Sequence, residues 1–252
     1  MSVDLFLLLP AFVAGLVVVA THVPLGRRVL ARGVVFLDLA IAQIASLGVI
    51  AAVAMGWDLA GWQAQIAAIA AALLAATLLV WTDRRWPQVQ EALIGVLFVS
   101  AASAEFVLLA DNPHAGEHVK DMLAGQILWV TWDGLIPLTV LSAAILVLWF
   151  LLGERLGPRL FYALFALAVT QSVQIVGVYL VFATLILPAL AARAVAPHRA
   201  TMVGYATGIF GYGGGLWVSA LADVPSGPAI VLMLLATFMT VAAMARLRQP
   251  ML

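Results

Sequence analysis

Asp38 and Gln43 are the only polar side chains in the stretch FLDLAIAQIA, residues 36–45; their neighbours are Leu, Ile, Ala and Phe. An acid or an amide inside a bilayer is costly, and those found there tend to mark an ion or substrate path. Glu105 is a second such residue, an isolated acid near the end of the fourth apolar stretch, able to line a path or to anchor a buried polar network. Gln171 and Gln174 stand three residues apart and so share one helix face, where glutamine either bridges helices or borders a path. HAGEH, residues 114–118, has the spacing that gathers His114, Glu117 and His118 round a zinc ion when the segment is helical. It follows Asp-Asn-Pro and contains a Gly, which favours a loop. Two readings stay open for it: a transient divalent-ion relay, or a solvated acidic loop beside Asp111 and Asp121. His22 and His198 lie near the ends of apolar stretches and read as interfacial residues rather than ligands.

The elements that carry these residues follow from composition. The chain has 252 residues, 65% hydrophobic and 10% charged, with a mean hydropathy of +1.13. A soluble domain carries about 25% charged residues, so this surface is not made for water: the chain reads as an all-α, polytopic integral membrane protein. Its net charge is zero, which gives no long-range pull toward nucleic acid. With no Cys there is no disulfide, thiolate metal site or cysteine nucleophile. No glycine-rich phosphate loop with Lys is present; GYGGG, 211–215, lies inside a span and reads as close helix packing.

Apolar length predicts spans over 5–23, 34–55, 63–82, 92–110, 130–152, 160–176, 178–195, 202–221 and 228–245, eight to nine crossings in one transmembrane domain, 1–252. The first reads as a retained span rather than a signal peptide. The sixth and seventh share one apolar stretch, hinged at VGVY, 176–179, as two short crossings or a broken, re-entrant pair. Nine crossings put Arg27, Arg28, Arg32, Arg84, Arg85, Arg155, Arg159, Arg193, Arg199, Arg246 and Arg248 on one side and Lys120 on the other. The positive-inside rule makes the arginine side cytoplasmic, with the N-terminus outside and the C-terminus inside. Trp57, Trp62, Trp81, Trp86, Trp129 and Trp132 mark span ends, as interfacial tryptophans do.

Four segments, in order, resemble the bacterial ABC metal permeases of the zinc/manganese family. PLGRRVLARGVVFLDLAIAQIASLGV, 24–49, is similar to that family's link between its first two spans, and DMLAGQILWVTWDGL, 121–135, to a weaker middle motif. VQIVGVYLVFATLILPALAAR, 173–193, and GGGLWVSALADVPSGPAIVL, 213–232, resemble its Leu-x-x-Pro-Ala and Asp-x-Pro-Ser-Gly signatures. Gly48, Gly125, Gly177, Pro188, Pro225 and Gly227 fall on the structural positions of these motifs. The resemblance implies a homodimeric permease of the bacterial inner membrane, served by a separate cytoplasmic ATPase and an extracytoplasmic metal-binding receptor. It implies transport rather than catalysis, no permanently bound cofactor, and a cargo of zinc first and manganese second. A different cargo (another metal, a metal chelate or a small polar solute) is the alternative, and an integral membrane zinc hydrolase built on His114, Glu117 and His118 is a second.

This sequence departs from the family at two places. The family's second span carries an Asp and, four residues later, a His; aligned on Gly48, those positions are Leu39 and Gln43. Asp38 is five residues from Gln43, ~140° round the helix at ~100° per residue. The pair that would grip a metal is therefore not intact, and an amide is a weak zinc ligand. The second departure is the loop after the fifth span, reduced to GERLGPR, 153–159, where the family carries a longer segment that docks on the ATPase; 82–91 is then the other loop available for coupling.

Overall fold

The computed structural model describes residues 5–58, 61–109, 125–152 and 157–247. Their regular structure is helical, with nine α-helices among the described residues. They are α1 (Leu5–Arg32), α2 (Leu37–Ala54), α3 (Trp62–Arg85), α4 (Gln90–Leu108), α5 (Trp132–Leu152), α6 (Pro158–Val176), α7 (Val178–Arg193), α8 (Pro197–Ala222) and α9 (Ser226–Leu247). Short 3-10 turns precede α4 and α5. By length and apolar composition α1, α2, α3, α5, α6 and α9 suffice to cross a bilayer, and α7 is a shorter apolar helix. A helix stands at each of the nine expected spans, the broken pair included, and six of the nine are long and apolar enough to cross.

The largest difference is at α1. The sequence predicts an end near residue 23, yet the helix runs to Arg32 and takes Pro24 with it. Leu25 and Val29, one turn apart, are buried on one face, and Gly26 lies so close to the Leu185 backbone of α7 that a Cβ there would collide with its carbonyl. The arginines that hydropathy assigns to a loop thus extend a packed helix. Arg32 stands over the Phe161 ring of α6, 4.5 Å from its centre.

The helices form two groups. In one, α2 packs on α3, α4 and α6; in the other, α7 packs on α1, α8 and α9. Inside the second, Gly211, Gly214 and Gly215 let α8 sit against Leu234, Met233 and Ile230 of α9, so GYGGG is a packing seam as expected. Gly48 does the same for α2 against Ala67 and Ala71 of α3.

Gly177 is the single residue between α6 and α7, one helix from each group. Its N–H closes α6 on the Val173 carbonyl at 2.9 Å, and its own carbonyl accepts the Val181 N–H of α7 at 3.1 Å. Its dihedrals, φ 80° and ψ 163°, are accessible essentially to glycine only. Gly125, at φ 69°, lies directly on this hinge, against the backbone of Val176 and Gly177, and the next residue, Gln126, donates its N–H to the Ile175 carbonyl at 3.3 Å. That bond occupies a carbonyl which the end of α6 would otherwise leave open. At the other signature positions, Pro188 is buried inside α7, and Pro225 and Gly227 make the start of α9. There Asp223 adopts a left-handed conformation and the Ser219 hydroxyl donates to the Val224 carbonyl at 2.6 Å.

Candidate functional site

α2 is apolar nearly all round, and its polar side chains therefore stand out by position. Gln43 and Ser46 are three residues apart, on one face. Both are buried, and so is Glu105 on α4. The Gln43 amide Nε2–H donates directly to Glu105 Oε2, a link across 62 residues of sequence. Ser46 stands beside the same carboxyl group. The other carboxyl oxygen, Oε1, is buried without a hydrogen bond among the described residues. A carboxyl, an amide and a hydroxyl thus converge between two packed helices, with one oxygen left open to a further partner.

Asp38 is separate. It lies in the first turn of α2, where the helix dipole favours a carboxylate, and is 1% exposed. No side chain among the described residues hydrogen-bonds its oxygens, which lie by the backbone N–H groups of Asp38 and Leu39 at the start of the helix. Its charged neighbour is Glu91, whose Oε1 accepts the Phe36 N–H at 3.2 Å just before α2 begins. Five residues of helix put Asp38 about 7.5 Å below Gln43 and on a different face. Gln171 is half-buried and Gln174 exposed on α6, and no hydrogen bond ties either to Gln43 or Glu105. His114, Glu117 and His118 lie outside the described residues, as does most of the loop 153–159. Among the described residues no three of His, Asp and Glu gather closely enough to hold a metal ion.

The interfacial reading of His22 needs correction. It is wholly buried, with Nδ1 2.9 Å from the Val18 carbonyl and 3.0 Å from the Thr21 hydroxyl. Because α1 continues to Arg32, residue 22 falls in mid-helix rather than at an end. His198 is exposed in the first turn of α8, as an interfacial residue should be. Ser46 is a member of the site that sequence reasoning missed; its i+3 spacing from Gln43 is the signal that marks the shared face.

Sequence and structure comparisons place this architecture. The family model for the ABC 3 transport family matches residues 4–157 and 154–246. The chain belongs to the ABC 3 transport family. A relative within reach of direct alignment is the high-affinity zinc uptake system membrane protein ZnuB of Haemophilus influenzae, 26% identical over 247 residues, covering 90% of this chain and 93% of that protein. Among solved structures, PsaBC from Streptococcus pneumoniae, in complex with a Fab, superposes with a TM-score of 0.77 at 21% identity, over 96% of this chain and 95% of the other. As an ABC 3 family member the chain is the membrane part of an ABC transporter, a multi-pass permease, and the Gln43–Glu105 pair lies inside its helical bundle.

Proposed function

We propose that this ABC 3 permease is the membrane subunit of an importer that carries a divalent transition metal, zinc or manganese, across the bacterial inner membrane. The buried Gln43–Glu105 pair with its open oxygen is the observation that carries the reading, because a carboxyl group held inside a bilayer needs a partner and a cation is the natural one. The relative's name, a zinc uptake membrane protein, supports the cargo class. Energy comes from a separate cytoplasmic ATPase, metal from an extracytoplasmic receptor, and two copies of the chain enclose the path. The N-terminus faces outside and the C-terminus the cytoplasm, so the arginine-rich ends meet the ATPase. Gln43 and Glu105 line the path, Asp38 lies at its cytoplasmic end, and Gln171 and Gln174 form a polar face near the hinge.

The test is deletion of the gene in its host. Cell zinc and manganese, measured by mass spectrometry during growth under chelation, are expected to fall and to recover with the wild-type gene. Unchanged contents of both metals, in a host with no second importer, would assign another cargo to the fold.

His114, Glu117 and His118 serve as the receiving mouth in this scheme. The double change His114→Ala, His118→Ala is expected to slow uptake at scarce metal and to spare it at high metal, since a relay matters only when capture is limiting. Equal uptake curves for the two proteins would reduce HAGEH to a solvated loop.

A further inference from the structure

α1 and α8 pack side by side in opposite directions, and their contacts advance one helical turn at a time. Gly204 faces Val23, Gly208 faces Val19 and Gly15 faces Tyr212, each so closely that a Cβ on the glycine would press on its neighbour. The next turn brings Phe12 to Gly213, and there the closeness ends: a Cβ on Gly213 would stand 3.4 Å from the Phe12 ring, at ordinary contact. One turn further the helices part. A cavity of about 200 Å³ opens between Leu8, Leu9 and Phe12 of α1 and Gly213, Leu216 and Trp217 of α8.

Its lining decides what can fill it. Apart from the Trp217 indole no side chain there offers a hydrogen bond, and a water molecule needs two or more polar partners to stay. Left empty, the walls would forfeit their dispersion contacts. Hydrocarbon fits: an apolar cavity of about 150 Å³ already takes up a benzene molecule. A helix of a second copy, about 10 Å across with its side chains, is too wide to enter. Phe210 and Leu221 share the face of α8 that carries Gly213 and Trp217, and both are exposed, so the mouth is rimmed by apolar groups suited to lipid. Trp217 is exposed five residues before the end of α8, about 7.5 Å along the axis, where interfacial tryptophans sit beside lipid headgroups.

We propose that the cleft between α1 and α8 is a lipid site, which holds one acyl chain of a membrane phospholipid with the Trp217 indole N–H donating to the lipid's ester carbonyl. The chain completes the packing that the glycines begin. The site lies in the helix group away from Gln43 and Glu105 and does not depend on the nature of the cargo.

The experiment places the full-length permease in vesicles of phosphatidylethanolamine and phosphatidylglycerol doped with a phospholipid that carries a diazirine on one acyl chain. After illumination, labelled residues are mapped by mass spectrometry. The exposed face of α5, with Phe150 and Leu151, reports labelling by lipid that merely surrounds the protein. Wild type should label more densely at 8–12 and 213–217 than on α5. Gly213→Leu and Leu9→Trp, which fill the cleft from either wall, should each lose that excess. Gly95→Leu, which adds the same bulk where nothing lies within 4 Å, should keep it. Gel filtration reports which variants fold, and the wild-type comparison with α5 stands by itself if neither cleft variant does. Labelling of the cleft no denser than that of α5, or an excess that survives in folded cleft variants, would overturn the proposal. So would stronger labelling of the cleft by a diazirine-bearing free fatty acid, or cross-links there to a second copy of the chain in place of lipid.

Discussion

Gly177→Ala is expected to leave little correctly folded permease. At φ 80° and ψ 163° a Cβ is forced into a region reserved for glycine, at a cost of about 1–3 kcal/mol. The strain falls where a single residue separates α6 from α7, so relieving it means moving one helix relative to the other rather than adjusting a loop. Gly125→Ala should act in the same direction by a different route. Its added methyl would meet the Val176 and Gly177 backbone, which cannot yield as a flexible side chain can. Gly95→Ala in α4 is the control: nothing lies within 4 Å of its missing Cβ, and alanine favours helix over glycine by about 1 kcal/mol. Thermal unfolding in detergent should show a drop of several degrees or no monodisperse protein for the first two, and no loss for the third. A Gly177→Ala protein as stable as wild type would mean that the hinge adopts another conformation.

The second large effect is expected at Glu105. On the proposed path, Glu105→Ala should bring metal uptake to background, a loss of more than about tenfold, because the buried carboxyl that would neutralise the cation is gone. It should also lower stability, since the Gln43 amide then keeps a buried donor without its acceptor, at about 1–3 kcal/mol. Glu105→Gln separates the two effects. An amide keeps the shape and still accepts from Gln43, so folding should be close to wild type, yet the charge is absent and uptake should remain lost. Normal uptake by Glu105→Gln would make the residue a clamp between α2 and α4 and no part of the path.

Much of this molecule is legible in its amino-acid sequence. The helices fall where hydropathy places them, because the cost of transferring about 20 residues into hydrocarbon is a local sum that each segment evaluates alone. The break at Gly177 is visible as Val-Gly-Val within one long apolar stretch, and the offset between Asp38 and Gln43 follows from helix geometry. The end of α1 is the exception, because Pro24 and three arginines look like a loop to hydropathy; burial of Leu25 and Val29 and the close approach of Gly26 to α7 outweigh that signal.

The sequence alone determined the class of molecule, the positions of its helices and the polar residues that must have partners. The tertiary structure decided who those partners are. It joined Gln43 to Glu105 across 62 residues, set Ser46 beside them, left Asp38 with Glu91, buried His22 and seated Gly125 on the hinge. The division has a physical reason. Insertion into a membrane depends on each helix and its solvent, while a buried polar pair depends on which helices touch and at what rotation, and that is fixed only when all of them pack together.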